Sequence, residues 1–290
     1  MKKITFTAAI LLFAFCGLFL AIFNSCKPSK NIGLQLYSIR DSIFKDVPGA
    51  IKKVGEMGYT FVEAAGYAKG KFYGMEPAAF RALCEKNGLK VLSSHTGMPA
   101  PDSANWDKVM AWWDTCISDH IAVGAKFIVQ PFMGEEAYKS LDGLKKYIRY
   151  FTAVGEKCNA KGIRFGYHNH SGEFTTKLDS TIVLYDYLVQ NTDPAKVMFE
   201  LDIFWCTQGG GDPVALFNRY PGRFELWHIK DKKEVGESGK IDFAAIWATA
   251  PKSGMKYGIV EIEEYNFDEF TSCRKSLEFL QKQKYFVMPN

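Results

Sequence analysis

The chain has 290 residues, of which 47% are hydrophobic, 15% aromatic and 23% charged, and this composition excludes a disordered tail, a collagen-like repeat and a coiled-coil rod. Its 36 basic and 32 acidic residues leave a net charge of +4, which argues against nucleic-acid binding because that function needs clustered basic residues. Seven cysteines are an odd number, and none of their spacings forms the CxxC pair of a cysteine-bound zinc site.

Residues 1–25 have the pattern of a bacterial export signal, in which the basic Lys2 and Lys3 precede a Phe-rich apolar stretch at 8–23. A small residue before Cys26 and a polar tether after it resemble a lipobox. We therefore expect cleavage before Cys26, lipidation of that cysteine, and a periplasmic or cell-surface lipoprotein that meets the membrane through its lipid anchor. A retained anchor helix is the alternative, although the apolar run is short for a span of about 20 residues.

After the tether at 26–31, short β-rich runs alternate with longer amphipathic runs. Strands are predicted at 32–38, 60–64, 89–95, 126–130, 163–168, 197–202, 224–229 and 257–262. Helices are predicted at 47–57, 76–87, 105–123, 135–161, 179–190, 212–219, 242–250 and 268–284. Eight βα units without a linker-like change in composition predict an α/β fold, with 32–290 as a single (β/α)8 TIM barrel. A doubly wound open sheet has the same alternation, but no GxGxxG motif follows the first strand.

The last four predicted strands each end in two titratable side chains spaced two residues apart. In a barrel the carboxyl ends of the strands form the active-site face, and side chains two apart on a strand share a side. Burying a charge without a partner costs several kcal/mol, so a divalent metal is a natural partner for this group. The pairs are His168 and His170, Glu200 and Asp202, His228 and Lys230, and Glu261 and Glu263.

One ligand from each strand gives the predicted metal set, with Glu263 as the alternative to its neighbour on the eighth strand. Imidazole and carboxylate ligands without cysteine suit one Mn²⁺, Zn²⁺, Co²⁺ or Fe²⁺ ion. The predicted ligands are His168, Asp202, His228 and Glu261. Taken singly, each histidine is more typical of a hydrogen-bonded core residue, and it is the combination of four such side chains that favours a metal site.

Polar and aromatic side chains near other strand ends are predicted to face the same barrel mouth. Gln35, Tyr37, Glu63, Gln130 and Trp205 are the predicted substrate contacts. For these residues, ordinary packing under the βα loops is the alternative. The five cysteines after residue 31 are expected to be buried free thiols, because a barrel of this size needs no disulfide.

Six segments carry a family resemblance: 33–38 (GLQLYS), 167–170 (YHNH), 200–202 (ELD), 210–213 (GGDP), 228–231 (HIKD) and 260–263 (VEIE). They resemble the sugar phosphate isomerase/epimerase group of the xylose-isomerase-like TIM barrels, in its inosose dehydratase-like and 3-keto-glycoside lyase-like branch. The resemblance covers nearly all of the chain after residue 31.

The resemblance implies one divalent metal, which epimerases of this group hold with Glu, Asp, His and Glu from strands five to eight. Asp202, His228 and Glu261 match three of these positions, whereas His168 stands where those epimerases have Glu. The His-Asn-His sequence is similar to the dehydratase-like branch. Two candidates follow for the fourth ligand, His168 and the loop residue Glu173.

The resemblance also implies removal of the proton α to a sugar carbonyl, followed by isomerisation, epimerisation or loss of a β-oxygen. Because the strand-five Glu that serves epimerases as a base is replaced, we expect elimination. His170 or Glu263 is the expected base, and His95 or Lys230 is the expected group that polarises an oxygen or protonates the leaving group. The export signal favours a keto-sugar or a 3-keto-glycoside as the small-molecule substrate over a phosphorylated sugar.

Two other functions remain open at this point. One is a sugar isomerase or epimerase proper. The other is a non-catalytic surface lipoprotein that binds glycans at the aromatic barrel mouth, although this function leaves the charged pairs unexplained. Endonuclease activity is disfavoured by the export signal, the balanced charge and too few ligands for a metal cluster.

Overall fold

The computed structural model describes residues 31–179 and 181–287, and within them eight parallel strands close into a barrel. The first strand pairs with both the second and the eighth, which completes the ring. The predicted (β/α)8 barrel is confirmed and the open sheet is excluded. The strands are Ile32–Gln35, Phe61–Ala64, Lys90–His95, Phe127–Gln130, Arg164–His168, Val197–Asp202, Leu226–Ile229 and Tyr257–Val260.

Most of the helices that cover the barrel begin and end close to the predicted bounds, but the helix predicted at 179–190 begins later, at Leu184. The helices are Val47–Met57, Pro77–Lys86, Trp106–Val123, Glu135–Lys139, Leu141–Ala160, Leu184–Asn191, Pro213–Arg219, Phe243–Ala248 and Glu269–Lys282. The helix predicted at 135–161 is divided at Ser140, whose side chain accepts a hydrogen bond from the Gly143 amide and caps the second part.

Short elements at the strand ends were absent from the predicted pattern. They are the helical turns Leu36–Ile39, Arg40–Ile43, Gly172–Thr175, Ile203–Gln208 and Ala250–Ser253 and a hairpin of Tyr67–Ala68 with Lys71–Phe72. Most of them follow strands at the face where the carboxyl ends meet. The chain therefore turns sharply at this face, and strands one and eight end earlier than predicted.

A small apolar core closes the lower half of the barrel interior. It consists of Phe61, Leu92, Phe127, Val129, Met198, Leu226 and Ile259. Two glycines make room for the larger members, since a Cβ on Gly33 would lie 2.1 Å from the Phe61 ring and one on Gly166 would lie 2.3 Å from the Met198 methyl. Two residues further along four of these chain segments are Glu63, Glu200, His228 and Glu261, which lie on top of this core and belong to the site.

The predicted leader at 1–25, the tether up to residue 30 and the lipidation site Cys26 lie outside the described residues. In the part of the chain that the structure describes, no helix has both the length and the apolar character needed to cross a bilayer. The five cysteines of this part are buried and unpaired, as predicted: Cys84, Cys116, Cys158, Cys206 and Cys273.

One buried histidine outside the barrel makes stability depend on pH. His120 packs against the rings of Tyr67 and Phe72 at 4.8 and 5.0 Å, and its Nδ1 donates to the Cys116 carbonyl at 2.7 Å. Burial lowers the pKa of His120 to about 4, whereas the pKa of an unfolded histidine is about 6.5. At pH values between these two pKa values, His120 takes up a proton in the unfolded chain but not in the folded chain. The folded state therefore loses stability as the pH falls.

We expect H120L to remove this dependence. Between pH 7.5 and pH 5, the free energy of unfolding of the native protein should fall by about 2 kcal/mol more than that of H120L. Urea unfolding of both proteins at the two pH values measures this difference. An equal pH-dependent loss in the two proteins would show that His120 does not carry it.

Candidate active site

A cavity of about 380 Å³ opens above the barrel at the carboxyl ends of the strands. Its wall contains Tyr37, His95, His168, His170, Glu261 and Glu263. The cavity floor is therefore built from the strand-end residues that the sequence singled out.

Four buried side chains, here called the outer cluster, bring their ligand atoms together: His168, Asp202, His228 and Glu261. One atom from each lies within 4.8 Å of the other three. Asp202 Oδ2 is 3.9 Å from both His168 Nε2 and His228 Nδ1, and His228 Nδ1 is 3.1 Å from Glu261 Oε2. The structure thus brings together the four residues predicted as metal ligands, with Glu261 rather than Glu263 in the group.

The hydrogen bonding and the pKa of Asp202 show that the outer cluster is suited to a cation. Its Oδ1 accepts the Trp205 amide at 2.7 Å, but its buried Oδ2 has no hydrogen-bond partner within residues 31–179 and 181–287. Burial raises the pKa of Asp202 to about 7, although the Lys230 charge acts in the opposite direction. A desolvated carboxylate oxygen that faces two imidazoles and a second carboxylate fits a divalent metal well.

Two fully buried carboxylates, Glu63 and Glu200, lie beneath the outer cluster and orient its imidazoles. Glu200 Oε2 is 3.1 Å from His168 Nδ1, and Glu63 Oε1 is 2.7 Å from His228 Nε2. If these nitrogens carry the ring protons, the opposite nitrogens present lone pairs to the outer cluster, as histidine ligands of metals normally do. Burial and the charge of Glu63 raise the pKa of Glu200 to about 7.

His95 lies between the same two carboxylates. Its Nε2 is 2.7 Å from Glu200 Oε2 and 3.1 Å from Glu63 Oε1. Burial opposes the charged form of the ring, but the charges of the two carboxylates raise the pKa of His95 above its usual value. His95 also borders the cavity, so it can present a protonated ring to a bound molecule.

Lys230 lies beside the outer cluster as a buried ammonium. Its Nζ donates to Glu261 Oε2 at 3.0 Å and to Glu263, and it lies 4.9 Å from the centre of the Trp205 ring. Burial opposes the charge, but the carboxylates of Glu261 and Asp202 raise the pKa of Lys230. Since Lys230 is 1% exposed, its predicted contact with a leaving group does not fit this position.

His170, in contrast, is exposed at the cavity, with its ring 5.1 Å from that of His168 and 6.0 Å from that of Trp205. Desolvation by the surrounding protein lowers the pKa of His170, which favours a neutral ring that can accept a proton. Tyr37 is 45% exposed at the same mouth. The predicted base and one predicted substrate contact are therefore within reach of a ligand.

Glu173, the predicted alternative ligand, does not join the outer cluster. Its buried carboxylate accepts hydrogen bonds from the Tyr138 and Tyr167 hydroxyls and, at 3.0 Å, from the His170 amide. Burial raises the pKa of Glu173, and these donors hold it in place. Its position makes it an anchor for the loop that carries His170.

Three predicted substrate contacts are also corrected, because Gln35, Glu63 and Gln130 have no exposed surface. Gln35 donates to Glu63 at 2.8 Å, and Gln130 donates to the carbonyls of Met98 and Phe132 at 3.0 and 2.9 Å. Gln35 and Glu63 face the barrel interior below the cavity, whereas Gln130 alternates with the interior residue Val129 and lies under the loops. They support the site and do not touch its contents.

The sequence assigned no role to Glu200, although its spacing of two residues from Asp202 placed it on the same face. Ser93, which donates to Glu63, was missed entirely. A serine in a strand resembles many neutral positions, so only the fold shows that it lies against a buried carboxylate.

Comparisons with known proteins agree on one family. Residues 51–283 match the model of the family described as the xylose isomerase-like TIM barrel. A solved structure of a sugar phosphate isomerase/epimerase from Parabacteroides distasonis is 32% identical, with a TM-score of 0.84, and the match covers 91% of this chain and 97% of that one.

Two curated relatives are inosose dehydratases. The protein from Geobacillus kaustophilus is 24% identical over 228 residues, which cover 68% of this chain and 70% of the relative. The protein from Lacticaseibacillus casei is 30% identical over 180 residues, which cover 49% of this chain and 59% of the relative.

We expect K230M to destabilise the metal-free protein by about 3 kcal/mol, because it leaves buried Glu261 and Asp202 without their ammonium partner. Urea unfolding in the presence of a chelator measures the loss. E263Q is the matched control and should cost about 1 kcal/mol or less, since Glu263 is partly exposed. A K230M protein as stable as the native one would contradict the buried ion pair.

Proposed function

The chain belongs to the xylose isomerase-like TIM barrel family, and from this premise we propose that it is a metal-dependent lyase acting on a keto-sugar or a 3-keto-glycoside. The reaction begins with removal of the proton α to the carbonyl and continues with loss of a β-oxygen. The observation that carries the proposal is the outer cluster, in which Asp202 Oδ2 accepts no hydrogen bond within the described residues and His168 and Glu261 border the cavity that also exposes His170.

The residues of the outer cluster would hold one divalent ion, with His168 as the fourth ligand because Glu173 is engaged elsewhere. Such an ion would supply Lewis-acid polarisation of the sugar carbonyl, which makes the neighbouring C–H more acidic. This arrangement also accounts for the buried charges that a glycan-binding platform leaves unexplained.

His170 is the proposed base. It is exposed at the cavity, its pKa is lowered, and its backbone is held by Glu173. Glu263, the other candidate, already accepts a hydrogen bond from the Lys230 ammonium. His95, at the cavity wall with a raised pKa, is the proposed donor that polarises or protonates the departing oxygen.

Elimination is favoured over isomerisation by the histidine at position 168 and by the relatives, since an inosose dehydratase is by name an eliminating enzyme. Isomerisation or epimerisation is the second candidate. It is supported by the Parabacteroides distasonis protein, which is by name a sugar phosphate isomerase/epimerase and matches almost the whole chain.

We also propose that the enzyme works outside the cytoplasm. The support is the leader at 1–25 and the lipobox-like Cys26. A lipid anchor at Cys26 would hold the barrel at a bacterial membrane surface, where unphosphorylated glycosides are available.

The metal assignment predicts that native protein, stripped with a chelator and reloaded, binds one Mn²⁺ per chain. D202A should lose this binding because it removes the unpartnered ligand oxygen. E173Q should keep it because Glu173 lies outside the cluster. Electron paramagnetic resonance of bound Mn²⁺ reports both results, and native protein without bound Mn²⁺ would overturn the assignment.

The reaction is tested by incubating the metal-loaded protein with a 3-keto-glycoside in D₂O. We expect release of the aglycone, slowed by about 10²–10⁴-fold in H170N while Mn²⁺ binding is retained. Nuclear magnetic resonance follows both the release and the deuterium content. Deuterium in recovered sugar without release would instead identify an isomerase or epimerase.

A further inference from the structure

Beneath the outer cluster, His95, His168, Glu200 and His228 form a second group of possible ligands, here called the deep cluster. We propose that the deep cluster is a closed zinc site that competes with the outer cluster for one divalent ion. Zinc bound there would keep the outer cluster empty and the enzyme inactive.

The contact distances within the deep cluster are compatible with a compact metal site. His95 Nε2, His168 Nδ1 and His228 Nε2 lie 2.7, 3.1 and 3.2 Å from Glu200 Oε2, and the four ligand atoms are within 4.8 Å of one another. Ligand atoms around a tetrahedral zinc are about 3.3 Å apart, as follows from metal–nitrogen bonds of about 2.0–2.1 Å. Side-chain shifts of several tenths of an ångström would open this group around an ion.

Glu200 provides an independent observation. The side chain is fully buried, and its Oε1 has no hydrogen-bond partner in the described part of the chain. Glu63 adds a second buried carboxylate against His95 and His228. Two carboxylates and three neutral imidazoles are balanced in charge by one divalent cation, so zinc would neutralise a group that otherwise needs protons.

The two clusters exclude each other because they share His168 and His228 through opposite ring nitrogens. The outer cluster uses His168 Nε2 and His228 Nδ1, whereas the deep cluster uses His168 Nδ1 and His228 Nε2. A neutral imidazole has one lone pair for a metal and one N–H. Simultaneous occupation would require both rings to lose their remaining proton and to bridge two ions as imidazolates, whereas one ion in either cluster needs no such loss.

The two clusters differ in the metal that they suit. Three imidazoles and one carboxylate in a closed pocket favour four-coordinate zinc. Two imidazoles and two carboxylates beside an open cavity suit an ion that takes more oxygen ligands, such as Mn²⁺. His95 is the one partly exposed member of the deep cluster, and it borders the cavity, so the path of entry leads past its ring.

The test uses the full-length protein with the outer cluster disabled by D202N. After chelation and addition of zinc, desalted D202N should retain one zinc per chain, and X-ray absorption should show about three imidazole ligands. D202N/H95L and D202N/E200Q should retain none, with circular dichroism confirming that both are folded. E200Q preserves the shape of the side chain, so it decides the outcome if H95L disturbs the barrel.

Competition is measured in the native protein loaded with Mn²⁺. Added zinc should displace Mn²⁺ while the total metal content stays at one ion per chain. In the H95L variant, the same amount of zinc should displace less Mn²⁺. Three results would overturn the proposal: two metal ions bound per native chain, no zinc bound by D202N, or zinc retained by both double variants. D202N has no intact outer cluster, so its zinc content tests the deep cluster independently of the proposed function. A failure of the proposed function would be seen differently, as native protein that neither binds Mn²⁺ nor turns over substrate.

Discussion

The desolvation of charge governs the interior of this barrel. Glu63, Glu200, Asp202 and Glu261 are buried within one group of side chains, and water cannot stabilise them there. Their charges are balanced by imidazoles and by the Lys230 ammonium through contacts of about 4 Å or less. The rings, amides and hydroxyls around the cavity supply a positive charge or a hydrogen-bond donor to most of these carboxylate oxygens, but Asp202 Oδ2 and Glu200 Oε1 accept no hydrogen bond within the described residues.

The strand period explains how such a group can be built without loss of the fold. Strands six, seven and eight each place an apolar residue in the lower layer and polar residues two and four positions later in the upper layers, as in Leu226, His228 and Lys230. The lower layer closes the barrel and contributes apolar burial, while the upper layers carry the chemistry. The site and the core therefore use the same backbone geometry, and neither requires strained strands.

The sequence predicted the barrel and the four residues of the outer cluster because both depend on regular spacing. Depth along the barrel axis was not predictable in the same way. Gln35 and Glu63 face inward as expected, but both are completely buried beneath the cavity. The position of the loop residue Glu173 was not predictable either, since its partner Tyr138 comes from the preceding βα unit. Ser140 divides a helix through capping, which helical periodicity does not detect.

The anchoring of Glu173 has a consequence for how a substrate meets the proposed base. One carboxylate joins the His170 amide to hydroxyls from the fifth strand and from the helix Glu135–Lys139 of the preceding βα unit. The loop after the fifth strand is thereby fastened to the rigid part of the barrel. His170 is held ready before a ligand arrives, and little reorganisation energy is needed during proton transfer. Selectivity would then arise from the fit of the sugar to a fixed base and not from closure of a moving loop.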